Sequence, residues 1–353
     1  MNLSDFHPCP TLVTRTTEVQ NPRFPVVDAH NHLMKGFGDW IQRPLSELLD
    51  LLDQANVHTY VDLDGCWGED LFHNHLAYFK EPAPTRFRTF CGVDWTAWPA
   101  QENHFGEWAA QKLREHARQG ADGLKVWKNF GLRVHDQHGK LVAVDDPRLD
   151  PVWAAAGELG LPVTLHLADP VAFFDPLDEY NERWEELQGH PDWHFPSPAF
   201  PPFISILEGM ARIISRHPGT TFIGAHAGCY PENLGWVSNL LDRCPNFNID
   251  ISARIAELGR QPYTARRFFL RHADRILFGT DSSPDPITYR IYARFLETED
   301  EYFSYSDAEI PPQGRWQIYG LNLPDEVLKK VYFNNASRLF KIEPALPDST
   351  PGT

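Results

Sequence analysis

The run Val26-Val27-Asp28-Ala29-His30-Asn31-His32-Leu33 opens on β-branched residues and closes on two imidazoles one residue apart. A strand repeats every two residues, so His30 and His32 leave it on one side. Two neutral imidazoles converging on a point suit a divalent metal ion. In a chain with 16 histidines the pair alone also fits two core-edge side chains, and its surroundings have to decide.

Working outward, the same strand is followed by a Gly-containing loop and by Leu45, Leu48, Leu49 and Leu52, spaced for one helix face behind Pro44. The alternation then repeats. Strands are predicted at 58–63, 87–93, 123–127, 162–167, 221–225, 246–251 and 275–280, and the connections between them are mostly helical. Helices are predicted over 108–117 and 152–159, through Ile206, Leu207, Met210, Ile213 and Ile214, and as a closing segment over 324–340. Eight strand-helix units in a chain of this length point to a closed (β/α)8 TIM barrel rather than an open doubly wound sheet. No GxGxxG or P-loop is present.

The barrel is expected over 25–342, behind an N-terminal arm over 1–24 and ahead of a C-terminal tail over 343–353. Two stretches, 169–203 after strand five and 282–320 after strand eight, are too long for simple connections. Both are rich in aromatics and are expected to lie over the barrel mouth as a lid, or to form a subunit contact in a homodimer.

The 353 residues carry 32 Lys+Arg against 48 Asp+Glu, a formal charge of −16. This argues against nucleic acid or an anionic membrane as the main partner and leaves a small molecule. Cys9, Cys66, Cys91, Cys229 and Cys244 form no CxxC pair, which fits reduced thiols and a cytoplasmic location. No run approaches about 20 apolar residues, so no membrane span or signal segment is expected.

Active sites of such barrels sit at the C-terminal strand ends. Strand one ends in His30 and His32, strand four holds Lys125, strand five ends in His166, strand six in His226 and strand eight in Asp281. Parity supports this: Leu124 and Val126 cover the outside and leave Lys125 inward, His226 shares a side with Gly224, and Asp281 shares one with Gly279. Lys128 falls on the side opposite Lys125. Arg254, after strand seven, can grip a carboxylate at two points or pair with a neighbouring acid. Trp67, Glu69, Asp94 and Trp95 are rim positions that could line a pocket. Cys229 follows His226 closely, but nothing in the chain supports it as a nucleophile.

Together these positions resemble the amidohydrolase superfamily, with His-x-His on strand one, Lys on strand four, His on strands five and six and Asp on strand eight. The contexts DAHNHL, GLKVWK, TLHLAD, IGAHAG and LFGTDSS, and the closing NASRL, are similar to its amidohydrolase-2 branch. The resemblance implies that His30, His32, His166 and Asp281 bind one divalent metal, with zinc foremost and Mn, Co or Fe as alternatives. It implies Asp281 and His226 as catalytic groups and an unmodified Lys125 as a substrate-binding group, beside Arg254, whose place after strand seven suits the same role. A carbamylated Lys125 holding a second metal is the alternative. The reaction implied is hydrolysis of an amide, lactone or ester by metal-activated water, with non-oxidative decarboxylation of a carboxylated aromatic or unsaturated acid as the other possibility.

Overall fold

The computed structural model describes residues 9–343. Eight parallel strands follow one another around a single sheet: β1 Val26–Asn31, β2 Val57–Gly65, β3 Phe87–Cys91, β4 Gly123–Val126, β5 Val163–Leu165, β6 Phe222–Gly224, β7 Phe247–Asp250 and β8 Ile276–Leu277. The main connecting helices are α1 Leu45–Gln54, α2 Glu69–His75, α3 Phe105–Gln119, α4 Asp150–Leu159, α5 Phe203–Arg216, α6 Leu234–Arg243 and α7 Pro262–Arg271. After β8 comes α8, Pro286–Glu297, inside the stretch read from sequence as one long loop.

Closure is made by backbone and side chain together. Ala29 N–H donates to Phe278 O and Asp281 N–H to His30 O, both at 2.9 Å, which ties β8 to β1. Beside them the buried Asp28 carboxylate accepts from Thr280 N–H at 3.0 Å, and from Thr280 Oγ1 and Tyr289 Oη at 2.8 Å. The result is the (β/α)8 barrel expected from the alternation.

Inside, Val27, Ala29, Val61, Leu63, Phe90, Ile223 and Leu277 form one apolar cluster. They come from five strands, and only the barrel interior brings such residues together. Ala336, Phe340 and Ile342 of the closing segment join them and plug one end. That segment runs Asp325–Lys329, Lys330–Asn334 and Asn335–Phe340, with a π turn in the middle where a single α-helix was expected.

The interior also corrects the parity assigned to strand six. Ile223 faces inward, whereas Phe222 packs outward on Trp153 and a side chain at Gly224 would run into Phe247. His226 still reaches the site, because the chain leaves β6 through residues in the left-handed region, His226 at φ 57° and Ala227 at φ 56°. Strand parity ends where the strand does.

Candidate active site

Five side chains meet where the C-terminal ends of β1, β5, β6 and β8 converge. One nitrogen or oxygen each from His30, His226 and Asp281 lies within 4.8 Å of the others. His32 Nε2 stands 3.6 Å from Asp281 Oδ1, and His166 Nδ1 stands 3.3 Å from His226 Nε2. All four histidines are buried.

Each imidazole is held by one nitrogen. His30 Nδ1 donates to Asp250 Oδ2 at 2.8 Å, and His32 Nδ1 to Asp64 Oδ1 at 2.6 Å. His226 Nδ1 donates to Ser252 O at 2.9 Å, and His166 Nε2 to Asp169 Oδ1 at 3.1 Å. A carboxylate or carbonyl can only accept, so these partners set the tautomers and leave the remaining nitrogen of each ring an acceptor, which on His30 receives a hydrogen bond from Lys125. Burial, and the charge of Lys125 after it, holds His30 below its ordinary pKa and His166 well below. Burial, then the neighbouring His166 and Arg254, does the same for His226. All three shifts favour the neutral ring, and lone pairs of His166 and His226 face each other at 3.3 Å. Imidazole acceptors gathered beside a carboxylate are the donor set that divalent metal ions take, so the residues fit such an ion.

The anchors were not singled out in the sequence, although a signal was there. Asp62 and Asp64 alternate in β2, and Asp250 ends β7. Asp250 Oδ1 also accepts from His226 N–H at 3.0 Å, Ser252 N–H at 3.1 Å and Ser252 Oγ at 2.5 Å, so one carboxylate orients two of the histidines. Asp64 Oδ2 accepts from Leu33 N–H at 2.7 Å and Met34 N–H at 2.9 Å. Behind it, His75 Nδ1 sits 2.8 Å from Asp62 Oδ2 and 3.6 Å from Asp64 Oδ2. Burial opposes the charged form of His75, but the two aspartates outweigh it and raise its pKa.

Two cations border the cluster. Lys125 is fully buried, donates to His30 Nε2 at 2.9 Å, and is pushed down in pKa by burial. Arg254 is 6% exposed; its Nη1 donates to Ala253 O at 2.8 Å and its Nε has no partner. Among the described residues no carboxylate pairs with either, so the neighbouring-acid reading of Arg254 is not what the structure contains. Lys128 does pair, with Asp169, which places it beside His166 rather than on the outer face. Its backbone lies beyond the end of β4, where parity no longer applies. Cys229 is buried, and burial raises its thiol pKa, which keeps it protonated and unreactive.

Asp281 and Ala253 adopt φ of 53°, and Cys229 59°, beside His226 and Ala227. Left-handed backbone at five non-glycine positions around one site is strain the surrounding hydrogen bonds hold in place. Next to the cluster a cavity of about 710 Å³ opens between the ends of β2, β3 and β4, with Lys125, Trp67, Trp95 and Trp127 on its walls.

Several solved structures share the fold. A 2,6-dihydroxybenzoate decarboxylase from Rhizobium is 19% identical, with 90% of this chain and 99% of that chain covered and a TM-score of 0.55. A 5-carboxyvanillate decarboxylase from Novosphingobium aromaticivorans with bound manganese is 12% identical, with 90% and 97% covered and a TM-score of 0.52. A protein from Acinetobacter baumannii described as a 2-pyrone-4,6-dicarboxylic acid hydrolase is 12% identical, with 90% and 100% covered and a TM-score of 0.50. No curated protein matches the sequence. The amidohydrolase-2 profile, described as amidohydrolase, matches residues 27–342, nearly the whole barrel, and the chain belongs to that family.

Proposed function

We propose that this chain is a divalent-metal enzyme acting on a small flat carboxylic acid, and that it releases the carboxyl group as CO2 without oxidation. The observation that carries this reading is the pair of buried cations, Lys125 and Arg254, bordering the histidines with no carboxylate partner among the described residues. An unpaired buried charge is costly, and an anionic substrate removes that cost. The names of the decarboxylases that share the fold are in keeping with it.

His30, His32, His166 and Asp281 would hold the cation, which when bound polarises the substrate oxygens. Arg254 takes the carboxylate in two-point fashion, and Lys125 steadies negative charge at the inner wall. As the carbon–carbon bond breaks, its electron pair stays on the substrate carbon, and a proton taken from solvent and passed on by Asp281 replaces CO2 there. His226 Nε2 stands 3.8 Å from Asp281 Oδ2, beside the path of this proton.

Hydrolysis is the second reading, favoured by one feature. Burial drives Lys125 towards the neutral amine, to which CO2 adds. A carbamylated Lys125 would itself be the missing anion, hold a second cation and direct the site to an amide, lactone or ester. The test is to incubate metal-replete protein with hydroxylated benzoates and with lactones and amides, following CO2 and acid release, while the intact mass and metal content are measured. CO2 from an acid, with one metal and unmodified lysine, is the expected result. Lactone or amide cleavage, with two metals and a lysine heavier by CO2, overturns it.

A further inference from the structure

The cavity at the ends of β2 to β4 does not contain the histidines. It meets their cluster through Lys125, which lines it and donates to His30. Its walls are unlike the rest of the mouth. The Trp67 and Trp127 rings approach to 4.3 Å between centroids, and Trp95 lies stacked on Phe130 at 4.7 Å and 4°. Trp67 is 40% exposed, although a side chain of that size is seldom left uncovered beside a site. His116 and Glu69 also border the cavity, with His116 Nε2 3.2 Å from Glu69 Oε1. Glycines let the β2 and β3 ends close up here: a side chain at Gly92 would strike Cys66 Cα at 2.4 Å.

A volume of about 710 Å³ falls in the range that encloses drug-sized ligands and is more than one ring requires. We infer that this tryptophan-walled cavity is the chamber for the body of the substrate, and that the acid is extended and aromatic, at least two rings long. One end lies at Lys125, and a flat face of the body lies on the exposed Trp67 ring. The inference rests on the carboxylic-acid reading above, and names the class of acid.

The test compares benzoate with 4-phenylbenzoate as probes, by isothermal titration calorimetry on the metal-replete protein, with tryptophan fluorescence as a second signal in the unaltered chain. The longer acid is expected to bind at least about tenfold tighter and to quench fluorescence. Trp67→Ala is expected to abolish that advantage while leaving benzoate binding unchanged, and Trp67→Phe to restore part of it. Because Trp67 is exposed, an unchanged melting temperature shows that the fold survives. Equal binding of the two acids, or an advantage that survives Trp67→Ala, overturns the chamber. Arg254→Gln separates the two claims: loss of both acids alike supports the acid reading, whatever the chamber does. If both acids bind Arg254→Gln unchanged, the acid reading fails even where the phenyl advantage persists.

Discussion

Asp250 touches no substrate in either reading of the site, yet it holds His30 by its ring and His226 by its backbone. An amide in its place keeps the shape but offers a weaker acceptor to Nδ1 of His30. Asp250→Asn is expected to lower metal affinity about 10–100-fold, read by metal content after dialysis against a graded chelator. His30→Ala and Asp281→Ala are expected to lose the metal outright, and retained metal and activity in both would refute the ligand set. For Arg254→Gln the expectation is a fall in kcat/KM of roughly a hundredfold, carried mainly by KM, with Arg254→Lys recovering only part because an ammonium lacks the planar fork. Steady-state kinetics on the substrate found above would check it.

Of the contacts that join residues 9–24 to the barrel, the one at Thr17 centres on a buried acid, Asp300, while Arg15 and Arg23 make ion pairs with Glu299 and Asp325. The described residues 9–24 form no helix or strand. Thr17 N–H and Thr17 Oγ1 each donate to Asp300 at 2.7 Å, and Arg294 Nε donates at 2.8 Å. Burial pushes the Asp300 pKa up, but the Thr17 bonds and the Arg294 charge outweigh it and hold the carboxyl below its ordinary value of 3.8. A folded pKa below the unfolded one means that the attachment is complete above the ordinary value and is lost as pH falls through the lower, folded one. Hydrogen exchange at Thr17 N–H, relative to a free amide, is therefore expected to stay slow at neutral pH and to rise in acid only below about 3.8. In Asp300→Asn it is expected to be fast at pH 7, with tryptic cleavage at Arg15 accelerated. Equal exchange in both proteins at pH 7 would refute the attachment.

At the scale of the molecule, the barrel stands or falls on the seam between β8 and β1. Thr280 makes two bonds to the buried Asp28, and Thr280→Val removes the hydroxyl while keeping the shape. The expected loss is about 1–3 kcal/mol of stability, measured by urea denaturation with unchanged slope. Much of this architecture was legible beforehand, because strand and helix periods and the residues at strand ends are local signals. The place of each strand, most helical connections and the gathering of His30, His32, His166, His226 and Asp281 followed from them, whereas β5 and β8 came out shorter than expected and α8 was missed. Parity failed at His226 and Lys128, where the chain had already left its strand and left-handed turns or loop backbone set the direction instead. The partners that make the cluster function were silent in sequence because they are distant in it: His30 and Asp250 lie 220 residues apart, and His30 and Lys125 lie 95 apart. The sequence by itself determined the barrel, its alternation and which histidine and aspartate side chains lie at its strand ends, since these depend on neighbours within a turn or a pleat. Only the tertiary structure decided which imidazole nitrogen is left free, which cations lack an acid, and that tryptophans wall a cavity beside them, since each of these depends on contacts between elements far apart in the chain.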